Sequence, residues 1–124
     1  MRIARPELLQ WYGLFGAALA WTAQLVLGFG VSYADCNTVG RQWGLDVVKW
    51  EIVLMVVGGL FAVIAEVAAV SVFLSTRDVE YDDAPPGGRR HFFSFAAMLG
   101  NVLFITAILL SGIAAIANST CRPV

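Results

Sequence analysis

The sequence predicts an all-α integral membrane bundle of three transmembrane helices. Three observations carry this. Of the 124 residues, 59% are hydrophobic and 14% charged, against about 45–50% and about 25% in soluble domains. Mean hydropathy is +0.75. The apolar residues gather into three long stretches, and a spanning helix needs roughly 20 such residues to cross a hydrocarbon core about 30 Å thick.

The first stretch runs from about Leu8 to Tyr33 without a charge, and Arg5-Pro6-Glu7 before it suits a helix start. Two arginines precede it, and Ser32-Tyr33-Ala34 has the small-x-small form of a signal cleavage site. A signal core is only about 7–15 residues long, so the stretch is read as a retained helix. The second runs from about Trp50 to Ser75 with one interior charge, Glu66. Its run Ile52-Val53-Leu54-Met55-Val56-Val57 does not alternate, as a barrel strand would. The third runs from about Phe92 to Ala117, again uncharged. Backbone in lipid must satisfy its own hydrogen bonds, which makes all three helical. The whole chain, residues 1–124, reads as one membrane domain, with connecting loops at about 34–49 and 76–91. The second loop holds Pro85-Pro86-Gly87-Gly88 and the acidic stretch Asp78 to Asp83, read as a solvated loop, or alternatively as a dock for a basic partner surface.

Lys and Arg favour the cytoplasmic face. Arg2, Arg5, Arg77, Arg89 and Arg90 fall on one side, and Arg41, Lys49 and Arg122 on the other. The expected orientation is therefore N-terminus cytoplasmic and C-terminus external, with loop 76–91 inside and loop 34–49 outside. Cys36 and Cys121 then share the external face, where disulfides persist, and a Cys36–Cys121 bridge is expected. Trp11, Tyr12, Tyr33, Trp43, Trp50, His91, Phe92 and Phe93 lie near the ends of the stretches, where aromatic rings anchor to headgroups. Trp21 is mid-helix and expected to pack on a partner helix or on lipid tails.

Helices in lipid associate through small residues and polar contacts. Gly13, Ala17, Ala20, Gln24 and Gly28 recur on one face of the first helix, and Gly58, Ala62, Glu66 and Ala69 on one face of the second. Ala97 and Asn101 share a face of the third, beside Ala96 and Gly100. Each stripe carries one polar side chain. At 1.5 Å per residue, Glu66 and Asn101 fall at about the same depth, and Gln24 roughly 10 Å nearer the outer face. Glu66 is therefore expected to pair with Asn101, and Gln24 with a backbone carbonyl or a partner subunit. Inserting a charge near the bilayer centre costs at least about 2.5–3.5 kcal/mol. That leaves two readings of Glu66: a site on a proton or cation path, or a neutral group that bonds Asn101 and sets helix register.

Net charge −1 and pI ≈ 5.7 exclude a basic nucleic-acid binder. No phosphate loop, nucleophile elbow or zinc-protease motif is present, and the lone His91 and two separated cysteines make no haem, zinc or iron–sulfur ligand set. No catalytic residue, metal, cofactor or soluble substrate is expected. Asn118-Ser119-Thr120 has sequon form but abuts the membrane.

The segment from Trp11-Tyr12-Gly13-Leu14-Phe15-Gly16 through Ala20-Trp21-Thr22-Ala23-Gln24 to Cys36 resembles a group of small bacterial membrane proteins encoded beside haem–copper cytochrome c oxidase subunits. The resemblance covers about the first third of the chain. Members carry a histidine near the position of Gln24, where this chain departs from them, so no functional residue is carried over. The resemblance implies an accessory place in a respiratory complex of the bacterial inner membrane. The leading expectation is thus a non-catalytic accessory subunit or assembly factor, foremost of a terminal oxidase, with other membrane subunits and the lipid bilayer as partners. The alternative is a small proton-coupled transporter acting as a homo-oligomer through Glu66. Small multidrug exporters are similar in size and use a lone intramembrane glutamate, but have four helices with the glutamate in the first.

Overall fold

The computed structural model describes residues 5–36, 44, 46–85 and 87–118. They form three helices, α1 (Pro6–Asp35), α2 (Val47–Ser75) and α3 (Gly87–Ala117), each long and apolar enough to cross a membrane. The three pack mutually, so each touches both others. α1 and α3 run parallel with α2 antiparallel between them: Gly13 meets Ala69 and Gly28 meets Glu51, while Asn101 reaches Gly13 and Gln24 reaches Ile108.

The helices extend past the apolar stretches at both ends of α1 and at the starts of α2 and α3. Solvation explains this. Lipid fixes where charge must stop, whereas a helix continues until a cap ends it. α2 starts at Val47 because Asp46 caps it, its carboxylate accepting from the Lys49 amide at 3.2 Å. α3 starts at Gly87, so Arg89, Arg90 and His91 are helical rather than part of the loop. Arg90 lies 3.9 Å from Glu7 at the same end of the bundle. Gly88 lies against the Tyr81 and Asp83 carbonyls, where a Cβ would collide with the loop backbone.

The Lys49 amide holds the exposed Asp46 carboxyl below the usual carboxylate range. A lowered folded value means the cap's contribution is complete above about pH 4, the ordinary value, and is lost as pH falls through the lowered one. Exchange of the Lys49 amide is expected to show this step in the native chain. In Asp46→Asn, which caps without a charge, the step should vanish. An identical pH profile in both would contradict the assignment.

The packing inverts that of a soluble bundle. Ala17, Ala62, Ala65 and Ile108 are fully buried, ringed by Tyr12, Trp21, Met55 and Phe104. Large apolar side chains point outward: Phe29 is 74% and Leu103 72% exposed. So large an apolar exterior fits lipid rather than water. The small-residue stripes are what meet at the axis. A Cβ on Gly13 would lie 3.0 Å from the Ala69 nitrogen, and one on Gly112 2.5 Å from the Met55 sulfur. At Gly13 the approach is to backbone and at Gly112 to a side chain; close contacts at small residues hold helices together where no hydrophobic effect does.

His91 corrects an expectation. It is no surface anchor: it is 6% exposed, lies between Phe73 and Tyr81 at 4.8 and 4.7 Å, and its Nδ1 is 3.0 Å from the Thr76 hydroxyl. The loop after α2 folds over it. Val79 donates to the Thr76 carbonyl, and the Glu80 amide donates to Asp83. Asp78, Glu80, Asp82 and Asp83 stay exposed.

Candidate functional site

Polar side chains inside the bundle fall into two layers. The first holds Glu66 and Asn101. Asn101 is buried on α3; its Nδ2 donates to the Gly13 carbonyl at 2.8 Å, and its side chain lies near the Glu66 carboxyl. This amide ties α3 to α1, beside Glu66 of α2. Glu66 Oε2 is enclosed without a partner.

The second layer holds Gln24. Its Nε2 donates to the Ile108 carbonyl at 3.1 Å, joining α1 to α3, and its Oε1 is buried without a partner. Trp21 reaches the Ser111 hydroxyl at 3.4 Å and packs on Phe104 at 5.7 Å, so it faces a partner helix. The structure thus brings Glu66 and Asn101 together and leaves Gln24 apart from them. Gly58 is level with Gln24 on α2, and Glu66 lies eight residues further along, about 12 Å at 1.5 Å per residue. The fully buried Ala17, Ala62, Ala65 and Ile108 fill the layer between.

Among the described residues, the buried polar Gln10, Glu51, Thr76 and Ser94 escaped the sequence reading. Glu51 is 4% exposed, its carboxylate pressed on Gly28. It lies one turn into α2, where a carboxylate is expected to turn toward headgroups. Gln10 is equally buried, with Nε2 unpartnered. The small-residue stripes carried the signal: Glu51 is seven residues before Gly58, and Gln10 seven before Ala17. Two helical turns return to the same face.

Two cavities flank Gln24. One, of about 610 Å³, is a groove between α1 and α2 lined by apolar side chains from Leu8, Trp11 and Phe15 to Leu27, with Val57 and Phe61 opposite. Trp11 and Phe15 stack at 5.8 Å along it, and the Tyr12 hydroxyl donates to the Phe61 carbonyl at 2.9 Å. The other, of about 230 Å³, has Glu51, Ser32, Ser111 and Gln24 on its wall together with Leu25, Gly28, Phe29 and Ala115. Among the described residues, no group of three His, Cys, Asp or Glu side chains is placed to hold a metal ion.

Cys36 ends α1, its amide donating to the Ser32 carbonyl at 2.9 Å. Cys121, the other half of the expected bridge, lies outside the described residues. No family model matches the chain, and comparison with curated proteins and with solved structures finds no match.

Proposed function

We propose that this chain is a non-catalytic accessory subunit or assembly factor of a larger complex in the bacterial inner membrane, foremost a respiratory terminal oxidase. The observation that carries the docking role is the groove between α1 and α2. It runs along α1 from Leu8 to Leu27, about 28 Å at 1.5 Å per residue. That is nearly the full hydrocarbon thickness of about 30 Å, whereas an acyl chain fills one leaflet, about half of it. A groove of that length suits a transmembrane helix from another subunit, with Trp11 and Phe15 as its aromatic wall. The oxidase assignment rests on the resemblance of the first third of the chain alone. The same reading takes the N-terminus as cytoplasmic and the C-terminus as external, with Cys36 and Cys121 bridged outside. Purification in mild detergent tests it. Haem-containing oxidase subunits are expected to copurify, and a homogeneous homo-oligomer without them would count against it.

A second reading, a proton-coupled transporter working as a homo-oligomer through Glu66, draws on the enclosed, unpartnered Oε2 of that residue. Against it stands the dry alanine and isoleucine layer, since proton transfer needs a chain of polar groups or water. Glu66→Gln separates the two readings. As an accessory subunit, the variant is expected to assemble and support activity at near-native levels, because the amide still fits beside Asn101. Normal assembly with transport abolished would favour the exporter.

A further inference from the structure

Glu51 poses a charge problem that the docking role does not address. Its carboxylate faces inward, against Gly28, and among the described residues it meets no cation. Lys49, two residues away, is 82% exposed and reaches Asp46 at 3.4 Å instead. Ionisable groups within a span face the interior, and they pair there or mark a ligand or ion site.

The cavity beside Glu51 has an apolar wall of Leu25, Phe29 and Ala115, and its polar groups are oxygens without a cation among the described residues. Gln24 adds no oxygen to it: Nε2 is spent on the Ile108 carbonyl, and Oε1 is sealed in the protein interior. The Ser111 hydroxyl accepts from Trp21 and keeps a free lone pair, and Ser32 adds a second hydroxyl. Two carboxylate oxygens and two hydroxyl oxygens face only the two hydroxyl hydrogens. The C-terminal turns of α1 and α3 lie at this end without a basic residue, opposed by the N-terminal turn of α2 to which Glu51 belongs.

We propose that this cavity binds a small monovalent cation, an alkali ion or a primary ammonium. Glu51 supplies the charge, and the Ser32 and Ser111 hydroxyls supply the remaining oxygens. An all-oxygen donor set suits a hard cation, and the single carboxylate balances one charge, not two. The volume of about 230 Å³ exceeds a bare ion. At about 30 Å³ per water, it accommodates a partly hydrated ion or the head of an alkylammonium. Gly28 is the permissive position, since a Cβ there would lie 2.9 Å from Glu51 Oε1.

The test is binding of radioactive sodium to the full chain in detergent, with ethylammonium as competitor and circular dichroism as the check on folding. Saturable binding displaced by ethylammonium is expected, weakened about tenfold or more in Glu51→Gln. If that variant does not fold, Ser32→Ala with Ser111→Ala, which keeps the charge, reads the site through a several-fold loss. Nanodiscs distinguish the sources. A lipid headgroup as the occupant predicts sodium binding suppressed in phosphatidylethanolamine but not in phosphatidylcholine, and a free ion predicts equal binding in both. Either pattern supports the cavity as a cation site. Folded protein that neither binds sodium saturably nor is stabilised by ethylammonium overturns it, as does binding untouched by these substitutions. The outcome is independent of which chains copurify.

Discussion

Gly13→Leu is expected to break the bundle apart. At Gly13 the α1 and α2 backbones touch: a Cβ there would lie 3.0 Å from the Ala69 nitrogen and 3.1 Å from its Cα. Backbone cannot rotate away as a flexible side chain can, so the helices must separate. The Gly13 carbonyl also holds the Asn101 amide at 2.8 Å, and Asn101 in turn meets Glu66. Separation would strip the central polar contact as well. Overpacking costs about 1–3 kcal/mol and interhelical hydrogen bonds about 0.6 kcal/mol on average. A loss of about 3 kcal/mol is therefore expected in unfolding from mixed detergent micelles. Gly30→Leu is the control: no atom lies within 4 Å of a Cβ at Gly30, and its cost should stay within about 0.5 kcal/mol. Equal stability of the two variants would contradict the proposed packing.

Ala23→Trp is expected to leave the fold intact and remove the partner. Ala23 is exposed and lines the groove between α1 and α2, away from the axis where Ala17, Ala62, Ala65 and Ile108 meet. An indole there fills space that the proposed partner helix would occupy. A clash of about 1.4 kcal/mol lowers association tenfold, so copurification should fall by about that factor or more. Helicity and detergent stability should remain native. Undiminished copurification would place the docking surface elsewhere.

The fold was legible because lipid is a simple solvent. Composition and three stretches of sufficient length determine three helices, and the stripes through Gly13, Gly58 and Ala97 mark the faces that meet. Gln24 was legible for the same reason: a polar side chain on a small-residue face finds a carbonyl across the interface. For Asn101 the expectation named Glu66 and not the Gly13 carbonyl that its amide reaches. Glu51 was not legible, because depth estimated from hydropathy puts it at the headgroup boundary, where a carboxylate finds water. Its inward turn depends on Gly28 opposite, which is a tertiary fact. His91 was misread on similar grounds. The loop from Thr76 to Pro85 was expected to be solvated, yet Tyr81 folds back over the imidazole. The groove was out of reach too. α2 is apolar on every side, so its sequence does not mark which flank α1 leaves uncovered.

Apolar packing at the axis, polar ties from α3 to α1, and a groove on the α1–α2 flank are the observations on which the proposed docking role draws. The claim that a foreign helix fills that groove is tested most directly by a photo-crosslinking amino acid at position 23 in living cells. Irradiation is predicted to join this chain to a transmembrane segment of a different polypeptide, identified by mass spectrometry. Adducts formed only with lipid, or only with a second copy of the chain, would contradict it.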